Sequence, residues 1–362
     1  GLPPAVPQDA RTISVLPEHI PQCTGVADVF VDTEAGLGSG FTDKDYEAAG
    51  AKIVTTAREL YEVSEIICKV KEPQPEELEM LNSSHVLFGY LHLASNLSLT
   101  KTLLEKKLTG IATEMIMDGK EYPLLIPMSK IAGNLAVQKG MQFLEYSSQG
   151  KGVLLSSISG EKNSKVVVIG CGEVGKSSIH KSIQVGASVT AIDLNEDILK
   201  DLKNKYGENI RTLLSGTDEA VSAIRSADLV VGAVLLPGRK PPTVITEEDI
   251  KYMEKGTVII DVAIDQGGCV EGVSPNTHSD PFEIRNGVIV SAIANLPGAV
   301  PKTSSMELST NLQNYVDNLL VENWFEEYKN NESLLPSLQI HKGLLLSEEV
   351  ADSLSLTLSK LV

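Results

Sequence analysis

The chain has 362 residues and a formal net charge of −17, from 48 acidic and 31 basic residues. A surface this negative repels nucleic acid and anionic lipid, which excludes both as expected partners. No run of 18 apolar residues is present, which excludes a membrane-spanning helix, and four widely spaced cysteines form neither a disulfide framework nor a zinc motif. We therefore expect a cytoplasmic, globular protein with free thiols, no bound metal and two domains.

Short apolar runs recur along the chain and alternate with stretches of helical character. In the first half these runs are 27–32, 51–56, 65–70, 85–93, 109–115 and 124–128, and in the second half they are 165–170, 188–193, 227–234, 257–264 and 287–293. The alternation is typical of βαβ units. Two such series predict an α/β protein with two Rossmann-like, doubly wound parallel-sheet domains that flank a cleft.

Three segments have the apolar spacing of longer helices: 129–148, 304–324 and 348–361. The first is predicted to connect the two domains, and Trp324 is the expected packing anchor of the second. Helices that follow the second strand series are predicted to return to the first domain. That domain is then discontinuous, with residues 1–128 plus 305–362, and the second domain covers 129–304.

The stretch Val166–Ser178 reads VVVIGCGEVGKSS and fits two nucleotide-binding motifs at once. Read as G-x-x-x-x-G-K-S it is a P-loop, which implies Mg-ATP and phosphoryl transfer. Read as G-x-G-x-x-G it is the first turn of a dinucleotide-binding fold, which requires glycine at all three positions. Gly170, Gly172 and Gly175 meet that requirement, and Val174 lies between the last two.

The following strand favours the dinucleotide interpretation. Asp193 ends that strand 18 residues beyond Gly175, where an acidic side chain binds the ribose hydroxyls of adenosine. The next residues, LNED, include no arginine for a 2′-phosphate, so NAD is favoured over NADP. The P-loop remains an alternative, because TVIIDVAID could supply its magnesium-binding aspartate, and so does a glycine-rich turn without a ligand.

Seven further motifs, taken together, resemble alanine dehydrogenase, in the family that it shares with the NAD-binding subunit of proton-translocating transhydrogenase. They are KVKEP (69–73), YLHLA (90–94), PMSKIAGNLAVQKGMQFLE (127–145), GAVLLPGRKPP (232–242), DVAIDQGGCVE (261–271), THSDP (277–281) and ANLPGAVPKTS (294–304). The resemblance implies reversible, NAD-dependent oxidative deamination of L-alanine to pyruvate and ammonia. It also implies a homo-oligomer, most often a hexamer, with the substrate domain first and the NAD-binding domain second.

The resemblance assigns a catalytic role to three residues. Lys71 matches the family's substrate lysine, His92 its catalytic histidine and Asp265 its active-site aspartate; Asp261 leaves some ambiguity about the last. Histidine is the side chain best suited to exchange protons near neutral pH. The alternatives are a solvated lysine at a strand end and a histidine satisfied within the core.

Further residues match cofactor and substrate contacts. Asn295 lies where the family contacts the nicotinamide and the substrate, Ser129 where it contacts the cofactor, and Ser215 beside the adenosine. Each could instead be a capping or loop residue. Val174 is assigned to the cofactor together with the three glycines.

The chain departs from the family pattern in two places. At the N-terminus the family's substrate-binding box is lost, and an ungapped count places Arg11 at the position of its carboxylate-binding arginine. In the glycine turn, Lys176 could contact the pyrophosphate or point to solvent. Three alternatives stay open. The altered N-terminus leaves room for a dehydrogenase of another small 2-amino or 2-oxo acid and for a catalytically idle NAD-binding protein, and the family itself includes a transhydrogenase-like protein.

Overall fold

The computed structural model describes residues 1–3, 12–158, 164–236 and 239–361. The chain forms two compact units. The first consists of Gly1–Met128, Pro237–Arg239 and Pro297–Val362, and the second of Ser129–Leu236 and Lys240–Leu296. Among the residues described, no helix combines the length and apolar character needed to cross a bilayer.

The strands found in these ranges are, in chain order, β1 (Phe30–Asp32), β2 (Lys52–Val54), β3 (Ile66–Cys68), β4 (Val86–Gly89), β5 (Thr109–Ala112), β6 (Lys165–Ile169), β7 (Ser188–Asp193), β8 (Ile210–Leu214), β9 (Leu229–Gly232), β10 (Val258–Asp261), β11 (Glu283–Arg285), β12 (Val288–Ser291), β13 (Leu338–His341) and β14 (Leu344–Leu345).

The α-helices of the same ranges are α1 (Ile20–Thr24), α2 (Asp43–Ala48), α3 (Ala57–Val63), α4 (Pro75–Met80), α5 (Leu97–Lys106), α6 (Leu125–Phe143), α7 (Glu173–Gln184), α8 (Glu196–Tyr206), α9 (Asp218–Arg225), α10 (Glu247–Tyr252), α11 (Pro301–Val316), α12 (Trp324–Lys329) and α13 (Glu348–Leu354).

The second unit is built on a sheet of order β11-β12-β10-β9-β6-β7-β8. All neighbours are parallel except β11, which runs antiparallel to β12. The side chains of β6, β9, β10 and β12 are buried on both faces apart from Lys165, which is why their sequences are nearly continuous apolar runs. This strand order is that of the dinucleotide-binding fold, and its ligands bind at the carboxyl ends of β6 and its neighbours.

The first unit contains a sheet of order β14-β13-β5-β4-β3 and a separate parallel pair, β1 and β2. Strands β3, β4 and β5 are parallel, whereas β13 is antiparallel to β5 and β14 to β13. Phe88 and Leu87, adjacent in β4, belong to different apolar clusters, so the sheet is covered on both faces. The α/β class is confirmed, with antiparallel edge strands that the prediction of parallel sheets lacked.

Three element predictions were wrong. The helix predicted over 348–361 is only half that length, since α13 ends at Leu354. Residues 124–128 form no strand; α6 begins at Leu125, and Pro127 lies in its first turn, where proline is tolerated because that N–H has no helical partner. The single helix predicted over 304–324 is broken, since α11 ends at Val316, a 3₁₀ turn covers Asp317–Leu319 and Trp324 begins α12.

Candidate functional site

Two of the three glycines in the turn between β6 and α7 are required by the protein's own structure. Gly170 has a φ of 88°, and a Cβ there would lie 2.6 Å from the Ala233 carbonyl oxygen. A Cβ at Gly175 would overlap the Gly170 carbonyl oxygen. The first glycine therefore permits a left-handed backbone, and the third permits close packing of α7 on the strand.

Gly172 has neither reason to be glycine. Its φ of −69° suits any residue, and a Cβ built on it would meet no atom within 4 Å. It is the N-cap of the 12-residue helix α7, whose first N–H groups and dipole favour an anion. The open space at this glycine fits close approach of a pyrophosphate, so the turn suits a dinucleotide.

Asp193, the last residue of β7, is tied to this turn. Its carboxylate accepts hydrogen bonds from the backbone N–H groups of Cys171 at 2.6 Å and Asn195 at 2.8 Å. Ser215, directly after β8, donates its N–H to the Asp193 carbonyl at 2.9 Å. The structure thus brings the predicted adenosine-side residues together at adjacent strand ends.

Three other predicted cofactor residues lie on α6 and α7. Ser129 is buried in α6, one turn before Gly133, where a Cβ would overlap the Val174 carbonyl oxygen. The hydroxyl of Ser178 links the two helices. It lies 2.9 Å from the carbonyl oxygen of Gly133 in α6 and 3.1 Å from that of Val174 in α7. Lys176 is half-exposed, and its Nζ lies 3.2 Å from Glu173 Oε1.

The loop after β10 separates the roles of the two candidate aspartates. Asp261 is 1% exposed and accepts hydrogen bonds from the N–H groups of Ala263, Cys269 and Val270. Burial raises the pKa of Asp261, and these N–H groups oppose the rise. Its carboxylate therefore stabilises the conformation of this loop, and Asp265 is the better candidate for the active-site aspartate.

Asp265 contacts Asn295, the residue predicted to contact the nicotinamide and the substrate. Its two carboxylate oxygens accept from the Asn295 N–H at 3.1 and 3.2 Å, and Asn295 is left-handed with a φ of 54°. The Asn295 Nδ2 is buried and has no hydrogen-bond partner among the residues described, so it is a donor suited to a ligand. His278, which the sequence interpretation missed within THSDP, lies 3.2 Å from the Asn295 carbonyl through its Nε2.

In the first unit, Lys71 and His92 follow neighbouring parallel strands. Cys68 of β3 pairs with Phe88 of β4, and the two candidates lie three and four residues beyond these positions. Since carboxyl ends of parallel strands meet at one edge of a sheet, the structure places both at the same edge. Lys71 is 7% exposed, and its Nζ lies 3.8 Å from Glu72 Oε2.

A buried ion pair anchors the KVKEP segment on which Lys71 lies. Lys69 Nζ is 2.9 Å from Glu77 Oε2, with both side chains almost fully buried. Glu77 also accepts from the Gln74 N–H at 2.8 Å and from the Tyr61 hydroxyl at 3.0 Å. Because a buried charge is tolerated only when it is paired and hydrogen-bonded, this network fixes the turn from β3 into α4.

His92 has a left-handed backbone, with φ 46° and ψ 39°, a conformation that costs a non-glycine residue about 1 kcal/mol or more. Glu114, which follows β5, holds the turn by accepting the N–H of His92 at 2.8 Å and that of Leu91 at 3.2 Å. The His92 ring stacks on Tyr90, with centroids 6.2 Å apart. Glu114 is, after His278, the second residue that the sequence interpretation missed. Arg11, the candidate for the carboxylate-binding arginine, lies outside the described residues.

Two family models match successive parts of the chain. The family model of the alanine dehydrogenase/PNT N-terminal domain matches residues 6–132, and that of the C-terminal domain matches residues 136–348. The chain belongs to the alanine dehydrogenase/PNT family. Lys71 and His92 fall within the N-terminal family domain, whereas the glycine turn, Asp265 and Asn295 fall within the C-terminal one.

Similar proteins cover nearly the whole chain. It is 41% identical to an alanine dehydrogenase of Bacillus subtilis over 98% of its own length and 94% of that protein. It is 40% identical to an alanine dehydrogenase of Methanococcus maripaludis over 97% and 95%. A solved L-alanine dehydrogenase superposes with a TM-score of 0.88 at 36% identity and covers 98% of both chains. A transhydrogenase structure from Sinorhizobium meliloti, at 21% identity and a TM-score of 0.76 over 96% and 98%, shares the fold.

Proposed function

We propose that this member of the alanine dehydrogenase/PNT family is an NAD-dependent enzyme that reversibly converts L-alanine to pyruvate and ammonia. The observation that carries the proposal is the placement of Lys71 and His92 at the ends of neighbouring parallel strands, in a chain 41% identical to an alanine dehydrogenase. The substrate carries a carboxylate and an amino group. A buried cation and a proton-exchanging group at one sheet edge are the side chains that such a substrate requires.

The second unit is assigned to NAD, which supplies a hydride acceptor at its nicotinamide ring when bound. Gly172 and the N-terminus of α7 hold the pyrophosphate, because the turn leaves open space there. Asp193 binds the adenosine ribose, with Ser215 beside it, and Ser129 and Val174 contact the cofactor from α6 and α7. These assignments rest on the placement of the residues around the strand ends of one sheet.

The first unit is assigned to the substrate. Lys71 binds the carboxylate, and its burial strengthens that attraction because less water screens the charge. We assign a second carboxylate contact to Arg11. In support, Ser14, three residues further along, donates its hydroxyl to the carbonyl of Cys68 at 3.0 Å, at the end of the strand that leads to Lys71.

Proton exchange is assigned to His92, the side chain suited to give and take protons near neutral pH. In the direction of deamination it removes a proton from the water that attacks the imine carbon. Asp265 orients this water or the amine, and it also accepts the backbone N–H of Asn295. The buried Nδ2 of Asn295 is assigned to the nicotinamide and the substrate. The enzyme is further proposed to act in the cytoplasm. It is also proposed to be a homo-oligomer, hexameric by family resemblance, and light scattering of the purified chain tests this assembly.

The test of the activity is NADH formation, followed by absorbance, when the full chain is mixed with NAD and L-alanine at alkaline pH. We expect NADH with L-alanine and little with glycine, L-serine or L-aspartate, and NADH consumption with pyruvate and ammonium. His92→Asn should abolish turnover while NAD affinity stays unchanged. NAD binding without reduction by any amino acid would contradict the proposal and favour a cofactor-binding protein without this activity.

A further inference from the structure

Glu114 lies where it can act on the His92 side chain as well as stabilise the backbone turn. It follows β5 at the position next to the end of β4, since Gly89 pairs with Ala112. Its side chain is 5% exposed, and its carboxylate accepts two consecutive backbone N–H groups, those of Leu91 and His92. The carboxylate therefore fixes the left-handed turn that carries His92.

The same carboxylate faces the histidine ring. His92 Nδ1 lies 3.8 Å from Glu114 Oε1, and this nitrogen is buried with no hydrogen-bond partner among the residues described. A distance of 3.8 Å is about 1 Å too long for a hydrogen bond. Catalytic hydrogen bonds are often long in structures without ligands and shorten when substrate binds.

We propose that Glu114 is the positioning residue of His92: it holds the turn and accepts a hydrogen bond from the Nδ1–H, so that Nε2 is the atom that takes the proton of the attacking water. The proposal rests on the proposed function for the identity of the substrate. A carboxylate next to Nδ1 selects the neutral tautomer with the proton on Nδ1. Nε2 then has a free lone pair, and the proton that it accepts makes an imidazolium whose charge the carboxylate stabilises.

The ring's other contact is consistent with this orientation. Tyr90 stacks on the His92 ring with an interplanar angle of 18°, and its hydroxyl donates to the Leu124 carbonyl at 2.7 Å. Stacking fixes the plane of the imidazole without bonding either nitrogen. The choice of tautomer is therefore left to polar groups near the two nitrogens, and Glu114 Oε1 lies 3.8 Å from Nδ1.

The first test measures the tautomer and needs no turnover, so it stands even if the chain does not oxidise alanine. The full chain is labelled with ¹⁵N-histidine, and ring nitrogen shifts are recorded at a pH well above the ordinary range of imidazole. Six histidines are present, and the His92 signals are those that disappear in His92→Asn. We expect a proton on Nδ1 in the wild type and loss of that preference in Glu114→Gln. A proton on Nε2 in the wild type, or the same tautomer in both proteins, would overturn the proposal.

The second test separates positioning from folding. Glu114→Gln keeps an acceptor for the backbone N–H groups, and we expect kcat to fall at least about tenfold while the KM for NAD stays unchanged. Glu114→Asp keeps the charge and should restore part of the loss. Glu105→Gln, the same change at an exposed position of α5, is the matched control and should leave kcat unchanged. Equal kcat values for the two Gln variants would overturn the proposal; if Glu114→Gln does not fold, the wild-type tautomer and Glu114→Asp decide.

Discussion

Alanine substitution at two glycines of one turn should have opposite consequences. In Gly172→Ala the new methyl group meets no protein atom within 4 Å and occupies the space assigned to the pyrophosphate. In Gly175→Ala it overlaps the Gly170 carbonyl oxygen and lies 2.9 Å from the Gly170 carbonyl carbon. We expect the first variant to lose NAD affinity at unchanged stability and the second to lose stability.

The magnitudes follow from these contacts. For Gly172→Ala, alanine is a poorer N-cap than glycine, which lowers the free energy of unfolding by roughly 0.5 kcal/mol. The alanine also restricts the unfolded chain, which raises the free energy of unfolding by about 0.4–1 kcal/mol, so the two effects nearly cancel. Displacing a phosphate from charge-assisted N–H bonds should cost about 2–3 kcal/mol, or about 30- to 150-fold in Kd. For Gly175→Ala, the backbone cannot move aside as a side chain can, so overpacking should cost about 1–3 kcal/mol and lower Tm by about 2–12 °C.

Thermal unfolding of the full chain without ligand gives the stability of each variant, and calorimetric titration with NAD gives the affinity. Each variant is the control for the other, because both add one methyl group to the same turn. Wild-type NAD affinity in Gly172→Ala would refute the assignment of the pyrophosphate to this glycine. A wild-type Tm in Gly175→Ala would refute the packing reason for the third glycine.

Two substitutions and one thiol-reactivity measurement test other parts of the site. Asp193→Ala removes the acceptor of two backbone N–H groups and should weaken NAD binding at least about tenfold without improving NADP binding; equal NAD affinity in calorimetry would contradict this. Lys71→Met removes the carboxylate's buried cation and should raise the KM for L-alanine about 10- to 150-fold, with NAD affinity as the control. Burial raises the pKa of the Cys171 thiol to about 12, so the thiolate is scarce at pH 8 and this thiol should react slowly with Ellman's reagent until the chain is denatured; prompt reaction of the native protein would count against its burial.

The sequence was most informative where strands are buried on both faces. Runs such as 165–170 and 257–264 are continuous and apolar because β6 and β10 are covered on both sides. Strand β8 was missed because it is an edge strand and only its first residue is buried. Residues 124–128 were misread because a short apolar run does not distinguish a strand from the first turn of a buried helix.

The site divides in the same way. The glycines and Asp193 have a fixed spacing within one βαβ unit, so spacing alone located them. Asp261 and Asp265 lie in the same motif. Only the structure shows that the carboxylate of Asp261 accepts hydrogen bonds from backbone N–H groups of its own loop. Glu114 lies 22 residues from the N–H that it binds, and strand pairing, which no local pattern encodes, brings the two together.

The return of the chain to the first unit at Pro297 has a consequence for biosynthesis. A ribosome releases the chain from the N-terminus, so the second unit is complete once Leu296 has emerged, while the first still lacks β13. Until β13 pairs with β5, β5 is an unprotected sheet edge of the kind that promotes aggregation. The unit whose synthesis begins first is therefore the unit that finishes folding last. Chains that terminate after Leu296 but before β13 should contain a folded second unit and an aggregation-prone first one.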